Sequence, residues 1–240
     1  MVLGKLKYKR ILLKISGEVM GGKSGSGIDF VFMRKVIAII KKLLAKKVEV
    51  AIVIGGGNYW RYRDFTHSRL DRVNSDYLGM LATVINSVAL QDEMRAEGIK
   101  ADTMSALPVP GLVPGFEAQK ARHFLKSGGV MICAGGTGNP FCSTDMAAAL
   151  RAGELKCDLL VKATNVDYVY DHDPKKFPDA KPLKDLSYDE VLARALGVMD
   201  LAAIATAREA KVPIAIFNLQ KPQNLPEILK GKKLGTIIHQ

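Results

Sequence analysis

The sequence predicts an α/β protein, a three-layer α/β/α sandwich around a mainly parallel sheet. Two observations predict this fold class. Apolar runs alternate with helical patterns along the chain, and several of these runs are continuously apolar, as strands covered on both faces must be. Strand, helix and strand in repetition indicate a sheet between helix layers. With 240 residues, 48% hydrophobic and 25% charged, we expect one domain over residues 1–240 with a substantial core.

The strand candidates are short apolar segments bounded by glycine-rich or polar turns. In chain order they cover residues 10–16, 48–54, 99–104, 129–134, 159–163, 213–217 and 236–238. In a doubly wound sheet, ligands bind at the carboxyl ends of the strands. The residues that follow each strand are therefore where we expect the chemistry.

The helix candidates lie between these strands and have apolar residues at helical spacing. They cover residues 30–46, 72–96, 117–125, 144–151, 188–194 and 201–210. Asp29 is the N-cap candidate of the first helix, and Ser187 is that of the fifth, where Glu190 completes a capping box. Residues 168–184, rich in proline and aspartate, predict an irregular excursion.

Composition narrows the function classes. The net charge of +11 suits an enzyme that handles polyanionic small molecules, or a nucleic-acid binder. Aromatic residues are sparse and do not alternate with basic ones, so the sequence does not favour a nucleic-acid surface.

The odd number of cysteines, without a C-x-x-C pair, predicts a reducing, cytoplasmic compartment. Scattered histidines do not predict a zinc site. No apolar run reaches ~18 residues, so we expect a soluble protein with no membrane partner.

A run of three glycines follows the second predicted strand. Gly55, Gly56 and Gly57 precede Asn58, and Arg61 lies close behind. Glycines leave backbone N–H groups unobstructed, so this turn can aim them at an anion. The alternative is a plain tight turn.

A second glycine-rich loop, AGGTGNPFCSTD at residues 134–145, follows the fourth predicted strand and runs into a helix. Either Ser143 or Thr144 can cap that helix, whose dipole favours phosphate. Asp145 has two interpretations. It caps the helix and pairs with its dipole, or it orients a lysine or holds magnesium.

Two lysines interrupt apolar strands near their carboxyl ends. They are Lys14 in ILLKIS and Lys162 in LLVKATNVD. A charged residue at such a place is costly without a partner. Two strand-end lysines, glycine loops and no metal-ligand cluster together favour a site for a polyphosphate transition state, where the protein positions groups and neutralises charge.

Residues 17–24, GEVMGGKS, fit the phosphate-binding pattern G-x-x-x-x-G-K-[ST]. In a true P-loop a helix begins at the Lys-Ser pair, so that its N-terminus points at the phosphates. Here Gly25, Ser26 and Gly27 follow that pair and disfavour a helix. A strand ending in a magnesium-binding aspartate is also missing. We therefore interpret the match as a decoy.

Taken together, the motifs resemble those of bacterial uridylate (UMP) kinases in the amino-acid-kinase superfamily. The segments that carry the resemblance are KISGE, AIVIGGGNYWR, DYLGMLATVIN, AGGTGNPFCSTD, LVKATNVDYVYDHDP and VMDLAA. It covers about residues 8–238, in order and without large gaps. The resemblance implies transfer of a phosphoryl group from ATP to UMP, with Mg²⁺, in the cytoplasm, by a homohexamer.

The resemblance also implies site residues. The catalytic set would be Lys14, Arg61, Asp145 and Lys162. ATP would contact Lys14, Ile15, Ser16, Gly17, Gly57, Arg61, Thr164, Tyr170 and Asp173. UMP would contact Gly56, Asp76, Thr137, Gly138, Asn139, Pro140, Phe141, Cys142, Ser143 and Thr144. The N-terminal part would take mainly UMP and residues from about 135 to 240 mainly ATP. No protein side chain is predicted as a metal ligand.

Regulation is a further implication of the resemblance. The family has a GTP-responsive loop that maps to Gly22, Lys23, Ser24, Gly25, Ser26 and Gly27, with GTP as activator and UTP as inhibitor. Ser26 stands where the family often has a bulky residue, so this chain departs from the pattern there.

Two rival functions stay open. One is another kinase of the same superfamily that phosphorylates a carboxylate or carbamate. The other is a nucleic-acid-binding regulator, suggested by the charge of +11.

Overall fold

A computed structural model describes residues 6–65, 69–172, 174 and 176–240. Its strands are β1 Arg10–Ile15, β2 Glu49–Ile54, β3 Ala101–Ser105, β4 Val130–Ala134, β5 Leu159–Thr164, β6 Val169–Tyr170, β7 Pro182–Leu183, β8 Asp185–Ser187, β9 Ile214–Asn218 and β10 Thr236–His239. Its helices are α1 Gly17–Met20, α2 Phe30–Leu44, α3 Arg72–Ala96, α4 Ala118–Lys126, α5 Thr144–Glu154, α6 Tyr188–Ala193, α7 Leu201–Glu209 and α8 Leu225–Ile228.

Eight strands form one sheet in the order β3-β4-β2-β1-β5-β9-β10-β8. Every pairing in it is parallel except the one between β9 and β10. The order places β1 in the middle, with β2 on one side and β5 on the other. The strands β2 to β4 are added on one side of β1, and the strands of this sheet from β5 onward on the other side. Ligands of such sheets bind in the crevice at the strand where the side changes.

Helices cover both faces of the sheet and separate the core into two clusters. Ile11 and Leu13 of β1 face the cluster that holds apolar residues of α2, α3 and α8. Leu12 faces the cluster that holds residues of α4, α5, α6 and α7. Alternate residues of one strand thus point into opposite layers. The predicted three-layer α/β/α architecture is confirmed.

All seven predicted strands are present, with ends that differ by one or two residues. The predicted helix over residues 72–96 is correct at both ends, and the other five are present with small shifts. Asp29 accepts hydrogen bonds from the N–H groups of Val31 and Phe32, as a helix cap does. Ser187 and Glu190 form the predicted capping box.

The prediction that residues 168–184 are wholly irregular is wrong. β6 and β7 lie in this stretch and pair as a two-stranded antiparallel ribbon, with Val169 opposite Leu183. Each strand has only two residues, too few to show an alternating pattern in the sequence. The short elements α1, α8 and β8 also escaped prediction.

The segment GEVMGGKS does not form a phosphate-binding loop. Residues Gly17–Met20 form the short helix α1, Gly22–Ser24 form a 3₁₀ turn, and Gly25 has the left-handed φ of 70°. The next helix begins only at Phe30. The Lys-Ser pair therefore does not begin an α-helix as it would in a phosphate-binding loop, and its interpretation as a decoy is supported by the backbone.

In the described residues, no helix combines the length and the apolarity that crossing a membrane requires.

A buried pair of asparagines joins the glycine turn after β2 to helix α3. The amides of Asn58 and Asn86 donate to each other's oxygen at 2.9 and 2.7 Å. Asn86 also donates to the carbonyl of Gly55 at 2.8 Å, and Asn58 donates to that of Gly27 at 2.6 Å. All four N–H donors of the two amides are thereby used, which fixes the turn on the helix.

Replacing Asn86 with alanine tests this pair. We expect Asn86→Ala to lower the free energy of unfolding by roughly 2–4 kcal/mol, because the oxygens of Asn58 and Gly55 lose their donors in the interior. Ser87→Ala is the matched control on the same helix. It removes only a hydroxyl bonded to Thr83 O, and we expect a loss below about 1 kcal/mol. Urea denaturation measures both; equal losses would contradict a special role for the pair.

Candidate active site

Two lysines lie side by side at the carboxyl ends of β1 and β5. Lys14 and Lys162 are register partners in this parallel pair, so their side chains point to the same face of the sheet. That face carries helix α5. Lys14 is only 7% exposed, and burying an ammonium group is costly unless it is paired.

Asp145, in the first turn of α5, pairs with both lysines. Its Oδ1 lies 2.7 Å from Lys14 Nζ, and its Oδ2 accepts a hydrogen bond from Lys162 Nζ at 2.6 Å. Lys162 also donates to the carbonyl oxygen of Val198 at 2.6 Å. One carboxylate thus fixes two ammonium groups from adjacent strands, and we call these three residues the Lys-Asp-Lys bridge.

The capping interpretation of Asp145 is wrong, because Ser143 is the cap. Its hydroxyl accepts the N–H of Met146 at 3.0 Å, and it donates to Asp200. Asp200 in turn caps α7 through the N–H of Ala203. The carboxylate of Asp145 is therefore free of the helix backbone and available to the lysines.

The pKa values in the bridge follow from burial and charge. Burial alone would raise the pKa of Asp145, but the two ammonium groups outweigh it and hold that pKa below its usual range. Burial lowers the pKa of Lys162, and the like charge of Lys14 adds to this, against the attraction of Asp145. Asp145 is consequently ionised at neutral pH, which suits an orienting anion and not a proton donor.

A first cavity of about 530 Å³ opens on the β2 side of the bridge. It is lined by Lys14, Ser16, Gly17, Glu18, Gly55, Gly56, Gly57, Trp60, Arg61, Tyr62, Arg72, Ser75, Asp76, Gly79, Met80, Thr83, Gly136, Phe141, Cys142, Ser143 and Thr144. The two glycine turns and the N-terminal half of α3 form its walls. Its size suits a nucleotide-sized ligand.

Glycine is required where the walls of this cavity approach each other. A Cβ on Gly17 would lie 2.3 Å from the backbone nitrogen of Gly57, and one on Gly56 would lie 2.4 Å from the carbonyl oxygen of Gly79. Neither contact is possible with a side chain present. The glycine run after β2 is thus fixed between β1 and α3, with Arg61 Nε donating to Gly57 O at 2.7 Å.

A second cavity of about 560 Å³ opens on the β9 side. Lys162, Thr164, Tyr170, His172 and Arg194 supply polar groups, and its apolar lining comes from Val166, Val169, Leu196, Val198 and Ile216. Lys14 lines the first cavity and Lys162 the second. The Lys-Asp-Lys bridge therefore stands at the junction of two nucleotide-sized cavities.

The structure brings most of the predicted site residues to these cavities. Besides the bridge, the first cavity collects Ser16, Gly17, Gly56, Gly57, Arg61, Asp76, Phe141, Cys142, Ser143 and Thr144, and the second collects Thr164 and Tyr170. Thr137, Gly138, Asn139 and Pro140 lie in the loop before Phe141 but do not line either cavity. The side chain of Ile15 is buried in the core. Asp173 lies outside the described residues.

Several cavity residues were not singled out from the sequence. Trp60, Tyr62, Arg72, Met80 and Thr83 all line the first cavity. Thr83 accepts the N–H of Gly135 at 2.8 Å and so fixes the second glycine turn to α3. Their positions in the sequence could have indicated them. Two of these residues are close to the glycine run, and the other three share a helix face with Asp76 at spacings of three or four.

The predicted effector loop, Gly22–Gly27, lies next to the first cavity through the asparagine pair. Asn58 Nδ2 donates to Gly27 O, and Ser24 Oγ donates to the carbonyls of Gly21 and Ser26. The side chain of Lys23 lies outside the described part of the chain, so the structure does not test its role.

No group of three or more histidine, cysteine, aspartate or glutamate residues in the described ranges is suited to hold a metal ion. One carboxylate does reach the junction. Asp145 Oδ1 is buried, and it makes no hydrogen bond of good geometry despite its contact with Lys14. Magnesium usually needs only one or two carboxylates besides water and substrate phosphates, and Asp145 fits such a partial role.

The family model of the amino acid kinase family matches residues 9–218. Among curated proteins, the chain is 46% identical over 235 residues to the uridylate kinase of Rickettsia rickettsii (strain Sheila Smith), covering 98% of this chain and 95% of that protein. It is 44% identical over 238 residues to the uridylate kinase of Rickettsia typhi, covering 99% of this chain and 98% of the relative.

Solved structures are similar in fold over nearly the whole chain. The UMP kinase of Bacillus anthracis superposes with a TM-score of 0.93 at 32% identity, covering 97% of this chain and 96% of that one. The UMP kinase of Ureaplasma parvum gives a TM-score of 0.90 at 34% identity, covering 98% and 100%.

Replacing Asp145 with asparagine tests the charge of the bridge. We expect Asp145→Asn to lower the free energy of unfolding at pH 7 by about 3 kcal/mol or more, because the buried ammonium group of Lys14 and the largely buried one of Lys162 lose their counter-charge. The folded-state pKa of Asp145 is lowered from 3.8. Its contribution is therefore fully present above that value and is lost as the pH falls through the lower folded pKa.

The measurement is urea denaturation of both proteins from pH 7 down to acid pH. The difference between wild type and Asp145→Asn should shrink below pH 3.8. Asp189→Asn is the control, since its exposed pair with Arg208 should be worth less than about 1 kcal/mol. A difference that does not depend on pH would assign the loss to packing instead of charge.

Proposed function

The chain belongs to the amino acid kinase family and, within it, to the bacterial UMP kinases, and we propose that it transfers the γ-phosphoryl group of ATP to UMP, forming ADP and UDP. The observation that carries this proposal is the Lys-Asp-Lys bridge at the junction of two nucleotide-sized cavities. Transfer of a phosphoryl group between two nucleotides needs two adjacent binding sites, with positive charge at the point where the group passes from one to the other.

We assign UMP to the first cavity. Asp76 lines it and can accept hydrogen bonds from ribose hydroxyls. Arg61 and Lys14, which the resemblance assigned to ATP, line the same cavity and offer positive charge to the phosphate of UMP. The backbone N–H groups of the glycine turn at Gly56 add donors for the same anion. The exposed segment from Thr137 to Thr144 is proposed to close over the base.

We assign ATP to the second cavity. Its apolar side chains suit an adenine ring, and Thr164 and Tyr170 supply hydrogen-bonding groups near it. The triphosphate would extend toward Lys162 and then Lys14. In this arrangement residues before about 135 serve mainly UMP and the later residues mainly ATP, except that Gly136 and residues 141–144 line the first cavity.

The chemistry needs little from the protein besides positioning and charge. The nucleophile is a phosphate oxygen of UMP, which is already ionised at neutral pH because the second pKa of a phosphate monoester is about 6. No general base is required. Lys14 and Lys162 are placed to stabilise the charge on the transferring group and on the leaving oxygen, and Asp145 keeps both ammonium groups in place.

A Mg²⁺ ion bound with ATP would supply positive charge to the donor phosphates. Asp145 is the residue that would face it, through the buried Oδ1 described above. The remaining coordination would come from phosphates and water, as magnesium sites in kinases commonly have.

Self-association as a homohexamer is part of the proposal. Leu78, Leu81 and Ile85 form an exposed apolar stripe on α3 at spacings of three and four. Such a stripe on the outer face of a helix suits contact with a second copy of the chain. We further propose a cytoplasmic location, activation by GTP and inhibition by UTP.

A kinase acting on a carboxylate or carbamate is the alternative within the same family. It would use the same bridge, but it would not need a first cavity of nucleotide size. A nucleic-acid regulator predicts steep salt-dependent binding instead.

The first functional prediction is substrate choice. We expect UMP to exceed CMP, AMP and GMP by at least ~10²-fold in kcat/KM, because a site that hydrogen-bonds one base strongly rejects the wrong edges. ADP release coupled to a reporter reaction measures this across the panel, with aspartate, glutamate, N-acetylglutamate and carbamate as further acceptors. Comparable rates with AMP, or a preference for an acid, would contradict UMP as the acceptor.

The second concerns which lysine binds the phosphates. We expect Lys14→Ala to lower kcat roughly 10²- to 10⁴-fold, because no other group replaces a positioned cation in a dry site. Lys23→Ala should keep kcat within about threefold, since the backbone gives Lys23 no helix N-terminus. Both variants are measured at saturating ATP, magnesium and UMP after circular dichroism confirms folding. An inactive Lys23→Ala beside an active Lys14→Ala would reverse the assignment.

A further inference from the structure

Arg72, the first residue of α3, joins three separate segments at the mouth of the first cavity. Its Nε donates to both carboxylate oxygens of Asp76, at 3.0 and 3.1 Å. Its guanidinium carbon lies 4.4 Å from the ring centre of Tyr62 and 5.6 Å from that of Phe141. Tyr62 follows the glycine run after β2, and Phe141 belongs to the loop after β4. A single guanidinium thus contacts both loops and its own helix.

The loop that contains Phe141 also contacts Asp76 directly. The backbone N–H of Phe141 donates to Asp76 Oδ2 at 2.8 Å. Phe141 has a φ of 64° and a ring that is 71% exposed. A non-glycine residue with such a φ is strained and keeps this conformation only where contacts enforce it. Since the ring is largely outside the core, the contact with Asp76 is one that enforces it.

Arg72 therefore acts on the loop through Asp76. The guanidinium fixes the carboxylate so that Oδ2 faces the N–H of Phe141, and it offsets the negative charge of Asp76 beside the cavity. Its planar fork and its stacking on aromatic rings are properties that lysine lacks. Four further N–H donors of Arg72 have no acceptor among the described residues, so the side chain keeps donors at the cavity mouth.

We propose that Arg72 is a positioning residue for UMP. By clamping Asp76 and the Phe141 loop together before the ligand arrives, it preorganises the wall of the first cavity on which UMP is proposed to lie. This inference rests on the proposed function, because it concerns the acceptor of that reaction. Preorganisation of this kind contributes to binding by reducing the ordering that the ligand would otherwise impose.

The alternative is an ordinary surface ion pair. The side chain of Arg72 is 44% exposed and that of Asp76 16%, and exposed pairs contribute little to folding. Both hypotheses therefore predict that a variant at Arg72 is stably folded. Only the positioning role predicts that such a variant binds UMP more weakly. The single tryptophan, Trp60, lines the first cavity, so its fluorescence reports occupancy there without ATP or turnover.

The experiment compares Arg72→Ala and Arg72→Lys with wild type, and Arg95→Ala is the matched control. Arg95 lies at the other end of α3, where its side chain is 51% exposed and pairs with Asp102, which is 41% exposed. We expect Arg72→Ala to weaken UMP binding, titrated by Trp60 fluorescence, by roughly tenfold or more. Arg72→Lys should remain weakened about fivefold, whereas Arg95→Ala should bind as wild type does. The KM for ATP and the melting temperature should change little in all three.

A double-mutant cycle shows whether Arg72 acts through Asp76. Asp76→Ala should weaken UMP binding by itself, and adding Arg72→Ala should then have almost no further effect, because the two residues work as a unit. Additive losses would overturn the positioning role, as would wild-type affinity in Arg72→Ala. If UMP leaves the fluorescence and the ADP release of wild type unchanged, the proposed function fails. If wild type binds UMP and Arg72→Ala binds it equally well, only the present inference fails.

Discussion

The arrangement of the site depends on the need to compensate two ammonium groups, one buried and one largely buried, on neighbouring strands. Lys14 and Lys162 are register partners, so the parallel pairing of β1 with β5 forces them together. The compensation comes from Asp145, whose place is set by the start of α5. That start depends on Ser143, which caps α5 and also contacts Asp200, the cap of α7. The N-terminal ends of α5 and α7 therefore both lie near the bridge, and their dipoles add to its attraction for anions.

The shape of the first cavity depends on close backbone contacts that side chains would prevent. Gly17 lies against the glycine turn, and Gly56 lies against α3. Asn58 and Asn86 then fix the turn by hydrogen bonds in the interior. The N–H of Gly55 donates to the carbonyl oxygen of Ile15. The contacts that anchor Gly56 and Gly57 use their carbonyl oxygens, which leaves the N–H groups of these two glycines for a ligand. A preorganised donor wall of this kind stabilises an anion without the cost of reorganisation.

Apolar periodicity and capping residues predicted most of the fold, and they missed the elements that are too short to show a sequence pattern. The seven strands and the long helix at residues 72–96 were predictable because apolar periodicity and caps such as Asp29 act within a few residues. The ribbon of Val169 and Leu183 was not, since two-residue strands have no pattern. Among the site residues, Lys14 and Lys162 were identifiable because charged residues near the ends of apolar strands are unusual, and Asp145 because it follows a glycine-rich loop at the start of a helix. Arg72 was not, because an arginine at the start of a helix looks like an ordinary surface residue until its neighbours across the cavity are known.

The ratio of charges in the bridge explains why one aspartate serves two lysines. Two ammonium groups and one carboxylate leave a net charge of one positive unit at the junction of the cavities. A second carboxylate in the bridge would cancel this charge and weaken the attraction for a phosphoryl group. Without any carboxylate, two buried like charges would repel each other and shift toward the neutral form, as burial already lowers the pKa of Lys162. A single shared anion holds both lysines in place and leaves the bridge with one uncompensated positive charge for the ligand. In the decoy segment GEVMGGKS the Lys-Ser pair lies in a 3₁₀ turn and does not begin an α-helix, so the backbone there does not form a phosphate-binding loop.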